Sequence, residues 1–139
     1  MQGNPQTMQK NPKYNFAPKD IYFFLKKQII KCEKNNIKKN RIIIDPGIGF
    51  GKTSKHNIQI LQNLKIFHKL GCNILVGLSR KRLISDLSNK EKPADRLPGT
   101  IAANQYALEQ GADIIRVHDV KEALQAKLIW QTLQKKIDL

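Results

Sequence analysis

The stretch RIIIDPGIGFGKTS, residues 41–54, places a β-branched run directly before a glycine-rich turn and a helix start. The run within residues 41–45 stops at Pro46 and is typical of a strand that is buried on both faces in a parallel sheet. The three glycines that follow provide a flexible turn. Ser54 is a good N-cap for an amphipathic helix that we predict to end before Gly71.

The same strand and helix alternation continues on both sides of this stretch. Two more apolar runs, NILVGL at 73–78 and DIIRVH at 113–118, are predicted strands. Strands that alternate with helices indicate a parallel sheet with right-handed crossovers. We therefore predict an α/β fold with about three parallel strands and flanking helices. The predicted helices cover residues 20–35 with Asp20 as cap, 54–70, 81–87, 99–110 and 120–137.

The length and charge of the chain limit the classes of protein to which it can belong. With 139 residues it is one ordinary domain, whereas eight strand–helix units need roughly 250 residues. The N-terminal residues are polar, and no apolar run approaches the roughly 18 residues of a membrane helix. We expect a cytoplasmic protein without a membrane partner.

The formal net charge of +14 leaves three kinds of anionic partner open: nucleic acid, an acidic membrane surface and an anionic small molecule. Lysines are scattered through helix-like segments, and the sparse aromatic residues do not interleave with them. This pattern argues against a nucleic-acid interface. A basic α/β module that binds nucleic acid is nevertheless kept as the alternative function.

Polar side chains stand at the three predicted strand ends, where parallel α/β folds bind ligands. Asp45 ends the first strand, Ser79 begins a Ser-Arg-Lys run after the second, and Arg116 and His118 end the third. Equivalent ends recur at separations of 79 − 45 = 34 and 118 − 79 = 39 residues. Together these side chains predict an anion site.

Each of these residues also has an alternative structural role. Asp45 can simply close a turn. Arg116 and His118 can pair with Asp45 or Asp119. The glycine loop that ends in Lys52 misses the phosphate-loop pattern by one residue, because Pro46 stands where that pattern needs glycine.

Five segments, taken in order, resemble the pterin-binding dihydropteroate synthase family, and specifically the C-terminal half of its members. The segments are MQGNPQTMQKNPKY (1–14), IIDPGIGFGKTSKHN (43–57), VGLSRKRLI (76–84), RLPGTIAA (96–103) and IIRVHDVKE (114–122). The resemblance implies part of an eight-stranded (β/α) barrel. It divides the chain into residues 1–18, a loop that follows a missing strand, and residues 19–139, the C-terminal half of the barrel.

The family resemblance also implies a transferase reaction and a set of site residues. The enzymes condense 6-hydroxymethyl-7,8-dihydropterin diphosphate with 4-aminobenzoate, release diphosphate and use Mg²⁺. A methyltetrahydrofolate-binding methyltransferase domain is a rival that fits the Ser-Arg-Lys and Arg-Val-His runs less well. By resemblance, the pterin is bound by Asp45, Phe50, Gly77 and Lys81, the diphosphate by Arg116 and His118, and the aminobenzoate by Arg80 and Arg82.

The chain departs from the family pattern at one position and in its length. Arg82 stands where the family usually has a small serine, and it either pairs with the aminobenzoate carboxylate or crowds it. The expected Mg²⁺ ligand falls in the missing half, so we expect no metal ligand in this chain. We predict that the chain is inactive alone and associates as a homodimer or with a complementing N-terminal half. A pterin-binding remnant without catalysis is the other alternative.

Overall fold

The computed structural model describes Met8 and residues 12–135, so much of the predicted loop over residues 1–18 lies outside the described residues. Helix α1 spans Ala17–Lys34 and begins before Asp20, the predicted cap. Pro18 lies in its first turn, where a missing N–H costs nothing. The Asp20 carboxylate instead accepts a hydrogen bond from the Asn15 N–H at 3.0 Å. The prediction of a helix was correct, and the prediction of its cap was wrong.

Three parallel strands form one sheet in the order β1-β2-β3, which confirms the predicted fold class. Strand β1 is Ile43–Ile44, β2 is Asn73–Val76 and β3 is Ile114–Ile115. In register, Ile44 of β1 lies opposite Ile74 of β2. On the other side of β2, Leu75 lies opposite Ile114.

All three strands are shorter than predicted, and β1 is less buried. Ile44 is buried, but 54% of the Ile43 surface is exposed, so the predicted burial on both faces was wrong. Within the described part of the chain, β1 pairs only with β2, which leaves it at a sheet edge. Arg41 belongs to a 3₁₀ turn, Lys39–Arg41, and not to the strand.

The segment between β1 and β2 packs the centre of the core. Helix α2 spans Ser54–Gln62, and a 3₁₀ segment, Leu64–Leu70, completes the predicted helix. Gly71 ends it with a φ of +71°, as predicted. The cap is Thr53 and not Ser54, because the Thr53 side chain accepts a hydrogen bond from the His56 N–H. The fully buried side chains of this segment include Ile60, Leu64 and Phe67.

The remaining helices follow the predicted order. Helix α3 is Arg82–Leu87, a 3₁₀ turn covers Pro93–Asp95, and α4 is Leu97–Glu109. Helix α5 is Val120–Gln134, and residues 136–137 of its predicted range lie outside the described residues. No described helix is both long enough and apolar enough to cross a membrane.

Candidate active site

Asp45 follows β1 and closes the turn after it. Its Oδ1 accepts a hydrogen bond from the Gly47 N–H at 2.7 Å. Gly47 and Gly49 have φ values of +73° and +83°, a conformation that L side chains rarely adopt. The turn-closing role is thus present, while a ligand-binding role for Asp45 stays a prediction.

Lys52 is buried beneath this loop, with 7% of its surface exposed. Its Nζ donates to the Gly47 carbonyl at 2.8 Å and to the Phe50 carbonyl at 2.9 Å. Burial lowers the pKa of Lys52 to about 8, although the negative charge of Asp45 acts in the opposite direction. In the sequence, Lys52 was weighed only as part of a phosphate-loop pattern, which the chain does not match. The burial of its side chain beneath the loop was not predicted.

Lys81 approaches the same loop from the end of β2. Its Nζ donates to the Ile48 carbonyl and lies 4.8 Å from the centre of the Phe50 ring. A Cβ at Gly49 would lie 3.2 Å from the Lys81 side chain, so glycine gives this lysine its room. Burial lowers the pKa of Lys81 to about 8. The negative charge of Asp45 opposes this shift, and the positive charge of Arg116 adds to it. The structure therefore brings Phe50 and Lys81 together.

A cavity of about 190 Å³, here called the strand cavity, lies at the carboxyl ends of β2 and β3. His118 is held there by Ser79, whose Oγ lies 2.8 Å from the ring Nδ1 and 3.2 Å from the backbone N–H. A Cβ at Gly77 would lie 3.1 Å from Nη2 of Arg116. The lining of the strand cavity thus unites four predicted site residues, Gly77, Lys81, Arg116 and His118.

Arg80 lies beside this cavity but is engaged by another partner. Its Nε donates to Oδ2 of Asp119 at 3.0 Å, and its Nη2 donates to Oδ1 of the same carboxylate. This pairing lowers the pKa of Asp119 and raises the pKa of Arg80. The alternative in which Asp119 pairs with Arg116 or His118 was wrong, because Asp119 pairs with Arg80.

Arg82 is at the rim of a larger cavity of about 650 Å³, here called the loop cavity, which Phe50 and Lys81 also line. Its side chain is 90% exposed, and its Nε lies 3.5 Å from Oδ1 of Asp86. Asp86 in turn accepts a hydrogen bond from the Ser54 hydroxyl at 2.5 Å, which lowers the pKa of this carboxyl. Arg82 therefore does not fill the cavity that it borders.

Lys52, which is buried, and Lys81, which is half-buried, connect the cavities. Lys81 lines both the loop cavity and the strand cavity. Lys52 lines the loop cavity and a third cavity of about 180 Å³ that Asp45 borders. Asp45 is thus on the far side of Lys52, and the structure does not place it in the same cavity as Arg116 and His118.

The described residues contain no group of three or more His, Cys, Asp or Glu side chains that could hold a metal ion. The cations around these cavities outnumber the carboxylates and suit another kind of ligand. Lysine and arginine donors at strand ends favour an anion, and a lysine stacked on an aromatic ring favours a flat, polar ring beside it.

Comparisons with known proteins identify the family of the chain. The family model described as "Pterin binding enzyme" matches residues 1–118. Dihydropteroate synthase of Escherichia coli is 47% identical to the chain over 139 residues. That alignment covers 98% of the chain and 48% of the E. coli protein, so the chain spans about half the length of this relative.

Solved dihydropteroate synthases share the fold. The Xanthomonas albilineans enzyme in complex with 7,8-dihydropteroate superposes with a TM-score of 0.88 at 40% identity, over 91% of this chain and 49% of that one. The Thermus thermophilus enzyme in complex with 4-aminobenzoate gives a TM-score of 0.89 at 36% identity, over 95% and 53%. Because the family model covers more than half of its length, the chain belongs to the pterin binding enzyme family.

Proposed function

We propose that this chain provides half of a dihydropteroate synthase site, which joins 6-hydroxymethyl-7,8-dihydropterin diphosphate to 4-aminobenzoate and releases diphosphate. The observation that carries the proposal is the position of Lys81. Its ammonium lies beside Phe50 in the loop cavity, and its side chain also lines the strand cavity together with Arg116 and His118. A ligand with a flat ring joined to a polyanion matches that arrangement.

The pterin ring is assigned to the loop cavity, and the diphosphate is assigned to the strand cavity. Phe50 offers an aromatic face, and Lys81 offers a donor for a ring carbonyl. Asp45 and Gly77 complete the proposed pterin group, with the Asp45 carboxylate available to an amino-pyrimidinone edge. Gly77 lines the strand cavity, so the proposal places the ring where that cavity meets the loop cavity at Lys81. Because Asp45 borders a separate cavity beside Lys52, its contact with the ring requires that the ring reach past that lysine.

The reaction needs cations more than it needs a nucleophile from the protein. The aromatic amine attacks the methylene carbon, a C–N bond forms, and the C–O bond to the diphosphate breaks. The amine loses a proton to solvent, and the leaving group gains negative charge. Arg116, His118 and Lys81, held in place beforehand, stabilise that charge as it develops.

Arg80 and Arg82 are proposed to serve the aminobenzoate, to different degrees. Arg82 is exposed at the rim of the loop cavity, where its guanidinium can turn from Asp86 to a carboxylate. Arg80 is held by Asp119, so a role for it needs either a second acceptor or an exchange of partners.

Mg²⁺ belongs to the proposal only by resemblance. The described residues do not form a cluster that fits a metal ion, and no step above is assigned to one. A second polypeptide that supplies the rest of the barrel is the proposed partner, because the exposed apolar side chains at the sheet edge and on α5 need cover. They include Ile43, Leu124, Leu128 and Leu133.

The test has two parts. Calorimetry should show that the chain binds 6-hydroxymethylpterin and inorganic diphosphate, and dihydropteroate should form only after a complementing N-terminal half is added. Duplex DNA serves as the competing ligand, since binding that falls steeply with salt would favour the nucleic-acid alternative. A chain that binds neither pterin nor diphosphate, alone or complemented, would exclude the proposed function.

A further inference from the structure

Lys52 is a buried cation that the proposed reaction does not use. A buried ammonium group is costly unless its donors are satisfied, and here two backbone carbonyls, of Gly47 and Phe50, accept from it. Both acceptors belong to the glycine loop. The ammonium therefore bridges the two ends of a short stretch of backbone that includes Ile48 and Gly49.

The same loop is held from the other side by α2. Asn57, with 4% of its surface exposed, accepts a hydrogen bond from the Gly49 N–H at 2.9 Å. The Phe50 N–H donates to the Gly47 carbonyl at 3.2 Å, which completes a tight turn. The side chain of Ile48 is buried in the core, and Lys52 and Asn57 fix the backbone of the glycines on either side of it.

What the loop presents depends on this fixation. Phe50 is carried at one end, and the Ile48 carbonyl that receives Lys81 lies at its centre. The Gly47 carbonyl, held by Lys52, belongs to the residue whose N–H binds the Asp45 carboxylate. A shift of the loop would therefore displace Asp45, Phe50 and Lys81 together.

We propose that Lys52 is a positioning residue that holds the glycine loop so that Asp45, Phe50 and Lys81 meet the pterin ring in one geometry. The assignment to pterin rests on the proposed function, whereas the fixation of the loop stands on the hydrogen bonds. Lys52 does not act on the diphosphate, because its Nζ donates into the loop and it does not line the strand cavity.

The experiment compares Lys52→Met, Lys52→Arg and Lys55→Met in the full chain. Lys55 is an exposed lysine on α2 and serves as the matched control. Hydrogen exchange of the amides in residues 47–51 is measured without ligand. We expect exchange about tenfold faster in Lys52→Met, as the loss of hydrogen bonds from a charged donor implies, and unchanged exchange in Lys55→Met. Lys52→Arg, which keeps a charged donor, should restore part of the protection.

Binding then separates positioning from general support of the fold. In Lys52→Met, the affinity for 6-hydroxymethylpterin should fall by about tenfold. The affinity for inorganic diphosphate should fall clearly less, because Arg116 and His118 stay in place and only Lys81 moves with the loop. Loop exchange that is unchanged in Lys52→Met, or an equal loss of both ligands, would overturn the proposal. If the wild-type chain binds no pterin, the proposed function is wrong, and the exchange rates still decide whether Lys52 holds the loop.

Discussion

The ammonium of Lys81 lies 4.8 Å from the centre of the Phe50 ring while it donates to the carbonyl of Ile48. One side chain thus contacts the glycine loop and also lines the strand cavity beside Arg116 and His118. Lys81 is the residue that the linings of the loop cavity and the strand cavity share.

Lys81→Gln should therefore weaken the binding of both 6-hydroxymethylpterin and inorganic diphosphate by about tenfold or more, because each loses a charged donor. Isothermal titration calorimetry measures the two affinities separately. Lys69→Gln, at an exposed lysine before Gly71, is the control and should change neither affinity. If only one ligand is affected, Lys81 does not connect the two subsites.

The binding of diphosphate should depend on pH through Lys81. The pKa of this lysine is lowered to about 8, so it is charged below that pH and loses its charge above it. The affinity lost by Lys81→Gln should accordingly be large at pH 7 and small near pH 9.5. The comparison with the variant removes the titration of diphosphate itself. A difference that stays constant between these two pH values would contradict the lowered pKa.

Arg80 combines an ion pair with an unusual backbone. Its φ is +56°, which is costly for any residue except glycine, and its guanidinium binds Asp119. Arg80→Ala loses the ion pair and keeps the strained backbone, whereas Arg80→Gly loses the ion pair and relieves the strain. We expect Arg80→Ala to have the lower midpoint of thermal unfolding. A lower midpoint for Arg80→Gly would show that backbone strain is negligible at this position.

The contact between α3 and α4 leaves no space for a methyl group at Gly99. A Cβ added there would overlap Cγ2 of Ile84, which is close to its own backbone and cannot move aside. Gly99→Ala should lower the free energy of unfolding by about 1–3 kcal/mol, as overpacking does. Chemical denaturation measures the change.

The matched rescue for Gly99→Ala is the double variant with Ile84→Ala, which removes the overlapping methyl group. The loss caused by Gly99→Ala should be smaller in the Ile84→Ala background than in the wild type. Equal losses in the two backgrounds would show that the overlap with Ile84 is not the cause.

The order of the elements was predictable, because strand and helix periods differ and the apolar runs are separated by clear turn residues. The exposure of Ile43 was not predictable, because a β-branched run does not indicate whether its strand has neighbours on both sides. The start of α1 was misplaced because Asp20 resembles a cap, and the contribution of Pro18 to the first turn was overlooked.

The contacts at the ends of β2 and β3 are reflected in the sequence by a constant spacing of residues. The register of β2 and β3 sets Leu75 opposite Ile114, an offset of 114 − 75 = 39 residues. The same offset relates Ser79 to His118 and Arg80 to Asp119. Once that register is known, both contacts follow.

The direction in which the Lys52 side chain points could not be predicted from residue spacing. A lysine after a glycine-rich turn can extend towards a ligand or fold back on the loop, and both fit the same residues. Only the positive φ values of the loop, which turn the Gly47 and Phe50 carbonyls towards it, decide between these outcomes.

Gly77 is a proposed site residue whose backbone is not strained. Its backbone does not need the left-handed conformation, so an alanine would cost little there for the chain itself. The added methyl would instead press on the guanidinium of Arg116, 3.1 Å away from the new carbon. A genetic screen of this position should therefore yield variants that accumulate normally in cells and yet fail in function, because the added methyl group displaces the guanidinium of Arg116.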